Sequence, residues 1–122
     1  VSIHVNSIEG HPEVSRYELY YYENNPFAQE LNALCSLISG KLDNTCETFA
    51  SASKDAYTVT RYAEFPSLLI ETGYATNQAD ADKLNSEAWR KKLAETLAIA
   101  IAEWFNTPEE PQTESTTLTD SR

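Results

Sequence analysis

With nine Lys and Arg against nineteen Asp and Glu, the 122-residue chain carries a net charge of −10. That balance excludes a generic nucleic-acid binder, which needs a basic stripe to neutralise phosphates, and simple adsorption to an anionic membrane. The chain is 41% hydrophobic and 11% aromatic, enough to bury a core, and its length suits one domain of the commonest size, about 100–150 residues. Cys35 and Cys46 are too few for a disulfide framework and lack the repeated spacing of a zinc ribbon. No apolar run approaches the roughly 18–20 residues of a membrane span.

Residues 1–6 alternate, Val1, Ile3 and Val5 against Ser2, His4 and Asn6, which predicts a strand with its β-branched face buried. The chain opens in mid-strand without Met, so a missing upstream portion is expected. Gly10 and Pro12 punctuate a loop. Residues 17–22 predict a second, aromatic-rich strand, exposed at Glu18. Asn25-Pro26 reads as N-cap and first helical residue. The helix that follows carries Phe27, Leu31, Leu34, Cys35 and Ile38 on one stripe and stops at Gly40. Residues 41–55 are polar and weakly patterned, which predicts a mobile surface segment, and residues 56–62 read as a short strand.

Residues 66–71 (Pro-Ser-Leu-Leu-Ile-Glu) form a continuous apolar run ending in an acid, the pattern of a buried central strand. A turn-forming loop, 72–77, leads into a short helix with acids in its first turn. Ser86 caps the last helix, whose Trp89, Leu93, Leu97, Ala100, Ile101 and Trp104 share a face. Beyond Asn106 the composition changes. Residues 107–122 hold two prolines, five threonines and a net charge of −3, which reads as an acidic tail or linker. The domain is therefore expected to occupy 1–106 as an α/β fold, a mixed sheet flanked by helices and incomplete at its N-terminal side.

Two residues stand out chemically. His4 lies on the polar face near the end of its strand, and Glu71 ends an apolar strand before a glycine-containing loop. Ligands gather beyond the carboxyl ends of strands in open α/β sheets, so the two could converge on one crevice. A histidine there is either a metal ligand or a hydrogen-bonded structural residue. The carboxylate is either an acid/base of raised pKa or a capping, solvent-facing acid. His11, beside Pro12, reads as surface and Cys35 as plain core.

These residues resemble the zinc-dependent N-acetylmuramoyl-L-alanine amidases of the third type, which are peptidoglycan hydrolases. Ser2-Ile3-His4-Val5-Asn6 is similar to that family's Ser-Ile-His-Ala-Asn strand, and residues 17–40 to its aromatic strand and following helix. Residues 65–77 resemble the Pro-x-hydrophobic-Glu-x-Gly-aromatic-x-x-Asn segment. By that resemblance His4 would bind Zn²⁺ and Glu71 would act as general acid/base or charge stabiliser beside the metal-bound water in cleaving the amide between N-acetylmuramic acid and L-alanine. It further implies peptidoglycan as partner and an extracellular, wall-associated or periplasmic place in a bacterium, with any wall-binding domain lying outside this chain. The family's first two zinc ligands precede the Ser-Ile-His strand and have no counterpart here, and Ser15-Arg16 stands where the family has a glycine. The chain alone is accordingly expected to be inactive. Two other readings stand beside it: a non-catalytic amidase-like module that binds peptidoglycan or a partner protein, and a self-contained site built from His4, His11 and Glu13.

Overall fold

The computed structural model describes residues 1–42, 47–53 and 57–107, with the backbone alone for 47–53. Four strands and four helices follow in the order β1 (Ser2–Asn6), β2 (Arg16–Tyr22), α1 (Ala28–Lys41), β3 (Glu47–Ser53), α2 (Thr58–Arg61), β4 (Leu69–Tyr74), α3 (Gln78–Asn85) and α4 (Glu87–Asn106). The strands form one mixed sheet in the order β1-β4-β2-β3. β4 pairs parallel with β1 and antiparallel with β2, while β2 pairs parallel with β3. The expected α/β fold is thus present, with the apolar run at its centre: every residue of β4 is buried.

One face of the sheet is built on the alternation of β2 and β4. Tyr17, Leu19, Tyr21, Leu68 and Ile70 join Leu31, Leu34, Cys35 and Ile38 of α1 and Leu97 and Ala100 of α4 in a single core. The Trp104 indole N–H donates to the Glu30 carbonyl at 2.9 Å, and Lys41 pairs with Glu103, so α1 and α4 are also tied at their rims. Burial pushes the Cys35 thiol up to about 12, as suits an inert core residue.

Several local expectations are corrected. α1 begins at Ala28 rather than at Pro26, and Asn25 caps the turn that leads into it, its carbonyl accepting from Ala28 N at 3.0 Å. Its side-chain oxygen accepts from Phe27 N, while its amide donates to the carbonyls of Ala63 and Phe65. Gly40 lies inside the last turn of α1, which ends at Lys41. Part of the segment expected to be polar surface is strand β3, aligned with β2 along its full length from Arg16↔Glu47 to Tyr22↔Ser53. Pairing rather than hydrophobic pattern decides that strand. Residues 58–61 are a turn of helix, not strand: Thr60 N and Arg61 N both donate to the Tyr57 carbonyl, and Ser67 Oγ bonds the Val59 carbonyl. β-branched propensity yields to these local bonds. The tail beyond Thr107 lies outside the described residues.

β1 takes one edge of the sheet, and the burial expected for its apolar face is not observed. Val1 and Ile3 are each 61% exposed. Ile3 pairs with Ile70 and so faces the helix side, yet at the edge of the sheet it stays exposed.

The last helix is capped as expected, the Ser86 hydroxyl accepting from Trp89 N at 3.3 Å. Ser86→Ala is expected to cost about 1 kcal/mol, read as a lowered urea midpoint with an unchanged m-value. An unchanged midpoint would show that the cap contributes nothing.

Candidate active site

Strand pairing assembles the chemistry. His4 on β1 pairs with Glu71 on β4, and Glu71 pairs with Glu18 on β2. Directly paired residues point to the same side of a sheet, so His4, Glu71 and Glu18 stand abreast on the face opposite the helical core. Asn6, Arg16 and Tyr20 join them two residues along their strands. The register irregularity between His4 and Asn6 pairs Asn6 with Tyr74 and brings the Tyr74 hydroxyl into the group.

His4 and Glu71 thus lie side by side on adjacent strands. The His4 ring is exposed, its Nε2 lies 2.8 Å from Ser2 Oγ, and its carbonyl accepts from Thr72 Oγ1 at 2.8 Å. Glu71 is buried, and its Oε2 has no hydrogen-bond partner among the described residues. Burial raises its pKa; the neighbouring His4 opposes that shift and the Glu18 charge adds to it. A carboxyl in this state holds its proton nearer neutrality and has a free oxygen with which to accept or return one.

Glu18 was expected to be exposed and is 1% exposed. It accepts four bonds: Arg16 Nε at 2.6 Å and Tyr74 OH at 2.6 Å on Oε1, Tyr20 OH at 2.7 Å and Asn6 Nδ2 at 2.9 Å on Oε2. Burial alone would raise its pKa, but the hydrogen bonds from Tyr74, Tyr20 and Arg16 outweigh it and hold the group below the ordinary carboxylate range. Tyr20 stacks edge-on against Tyr57 at 5.6 Å between ring centres, at the rim of the same face. The Tyr57 hydroxyl is pushed up by burial and then by the charges of Glu71 and Glu18. Sequence reading missed Glu18 and Tyr57. For Glu18 a signal existed: Arg16 two residues earlier is a countercharge on the same face of a strand otherwise aromatic and apolar.

Near the end of β4 the backbone takes a conformation that favours glycine. Gly73 has φ +142°, and a side chain there would meet Asp80 Oδ2 at 3.1 Å. Buried Asp80 accepts from Tyr74 N at 2.9 Å and Ser15 Oγ at 2.8 Å, while Asn77 caps α3 by accepting from Asp80 N.

The donors present can be weighed against a zinc ion. A catalytic zinc takes about three protein ligands and keeps one position open. His4 is exposed and chemically suited, but among the described residues no three His, Cys, Asp or Glu side chains come together to hold a metal. The self-contained set of His4, His11 and Glu13 is not formed. His11 Nδ1 and Glu13 Oε1 pair with each other at 3.0 Å on the loop surface. That loop is held towards α3 by Ile8 N to Thr76 Oγ1 and Asn77 Nδ2 to the Pro12 carbonyl, so His11 and Glu13 form no metal-holding group with His4.

The family model described as N-acetylmuramoyl-L-alanine amidase matches residues 1–103. The uncharacterized protein YqiI of Bacillus subtilis is 35% identical over 108 residues, covering 87% of this chain and 50% of YqiI. An uncharacterized cell wall amidase of Bacillus anthracis is 31% identical over 112 residues, covering 86% of this chain and 20% of that protein. Among solved structures, the amidase AmiC2 of Nostoc punctiforme superposes with a TM-score of 0.70 at 29% identity, over 87% of this chain and 57% of AmiC2. The chain thus spans at most about half of these two curated relatives.

Proposed function

Because the chain belongs to the N-acetylmuramoyl-L-alanine amidase family, we propose that it forms part of a peptidoglycan hydrolase of the bacterial cell envelope. The bond cleaved is the amide joining the lactyl group of N-acetylmuramic acid to the L-alanine of the stem peptide. The observation that carries this reading is the row His4–Glu71 with the buried, unpartnered Glu71 Oε2.

Amide hydrolysis needs an activated water, a polarised carbonyl and a proton for the departing amine. Glu71 supplies the proton traffic: its free oxygen accepts a proton from the attacking water and returns it to the L-alanine nitrogen. His4 serves as one zinc ligand, its exposed ring oriented by Ser2, with the remaining ligands lying outside the described residues. Zinc, when bound, polarises the carbonyl and acidifies water. Tyr57, at the rim, offers a partly exposed ring to substrate.

The test is product chemistry. Zinc-loaded intact protein acting on purified peptidoglycan is expected to release new L-alanine amino groups, and chelation to abolish that release. His4→Ala is expected to lower zinc stoichiometry as well as activity. New reducing sugar ends without new amines would overturn the proposal. The separation of His4 from His11 and Glu13, which pair with each other on the loop, favours one other reading, a module that binds peptidoglycan without cleaving it. In that case Glu71→Gln would leave binding intact and there would be no hydrolysis to lose.

A further inference from the structure

Glu18 is a buried anion to which the proposed reaction assigns no step, yet four donors converge on it. Its bond to Asn6 is the informative one. β1 is an edge strand, and β4 separates it from β2. The Asn6 side chain reaches across β4 to Glu18 Oε2, while Tyr74, at the end of β4, donates to Oε1 of the same carboxylate. One side chain of β2 therefore holds the ends of both strands that carry His4 and Glu71.

The remaining attachments of β1 start with its parallel ladder to β4 at Ser2, Ile3 and His4. They include Ser2 N to the Leu68 carbonyl at 2.8 Å, Ala75 N to the Asn6 carbonyl at 2.7 Å, and the Thr72 hydroxyl on the His4 carbonyl. The pairing with β4 is interrupted between His4 and Asn6. An edge strand with an interrupted ladder is free to slide or fray. Building on the function proposed above, we propose that Glu18 is a positioning residue: through Asn6 and Tyr74 it locks β1 over β4 and so keeps His4 abreast of Glu71.

Glutamine at position 18 preserves shape but replaces one acceptor oxygen by a donor nitrogen, so two of the four donors lose their partner. In the intact protein, Glu18→Gln is expected to speed hydrogen exchange at the Ser2 and Ala75 amides about tenfold or more, leaving the amides of α1 and α4 unchanged. In the same protein loaded with zinc, kcat is expected to fall about tenfold while KM stays within about twofold. Asn6→Ala should reproduce the exchange pattern, and the double variant should add little to either single one, because both break the same tether.

Exchange raised uniformly through the molecule would show Glu18 to be a general stability residue and overturn the inference. Wild-type exchange at Ser2 and Ala75 would also overturn it, as would additive effects of the two substitutions. Glu71→Gln run in parallel separates this inference from the reading beneath it. An active Glu71→Gln protein removes the proposed function, whereas an inactive one beside a fully active Glu18→Gln removes the role of Glu18 alone.

Discussion

Glu71→Gln is expected to lower kcat/KM for amide hydrolysis by about 10²–10⁴, the range associated with a positioned general acid/base, with zinc content unchanged. The substitution keeps the volume of a buried side chain and the register with His4 and Glu18. The loss would therefore report proton transfer and not a collapsed site. The pH dependence of stability should change with it, and its sign can be worked out. Burial, reinforced by the Glu18 charge and opposed by His4, raises the pKa of Glu71 in the folded protein. The folded state then keeps the proton to a higher pH than the unfolded chain does. The stabilising contribution is full below the unfolded pKa and is lost as pH rises through the folded one. Metal-free Glu71→Gln protein lacks that loss. It should melt above wild type at neutral pH, and the gap should close in acid. Glu18 works in the opposite sense, since its depressed pKa gives stability above the ordinary carboxylate range that disappears as pH falls through the folded value. Undiminished hydrolysis by Glu71→Gln would remove Glu71 from the mechanism.

Gly73→Val is expected to cost roughly 3–5 kcal/mol, a drop in Tm on the order of 10–20 °C. Two effects add. The backbone at φ +142° suits only glycine. The new Cβ would also press on Asp80 Oδ2 at 3.1 Å, disturbing the buried carboxylate that satisfies Tyr74 N and Ser15 Oγ. Because Gly73 lies two residues beyond Glu71 on β4, activity should fall with stability. Gly40 is the internal contrast. It sits in α1 with open space where an added methyl would lie, and Gly40→Ala should be neutral or stabilising by up to about 1 kcal/mol. Equal melting of Gly73→Val and wild type would mean that the end of β4 relaxes freely and that Asp80 does not hold it.

The elements that could be read along the chain are those with strong local patterns. α4 announces itself through Ser86 and a long apolar stripe, α1 through Leu31, Leu34, Cys35 and Ile38, and β4 through an unbroken apolar run. The failures have a common cause. β3 has little pattern of its own and exists because β2 offers it a ladder. Residues 58–61 favour strand by composition but close a single helical turn under Tyr57. Asn25 accepts from Phe27 N as a cap does, but its Nδ2 also holds the Ala63 and Phe65 carbonyls, a use no local pattern shows.

The sequence by itself determined the residues proposed to do chemistry, His4 and Glu71, and the family motifs in which they sit, because both are short, local patterns. It also determined the helical core, which follows from periodicity. Only the tertiary structure decided that His4, Glu71 and Glu18 form one row, since register between strands distant in the chain is set by pairing and not by neighbours in sequence. Tertiary structure likewise decided the state of Glu18. Arg16 is visible two residues away, but Asn6, Tyr20 and Tyr74 converge on that carboxylate only once three strands are side by side. A buried charge is stable where enough donors surround it, and that number is a property of the fold.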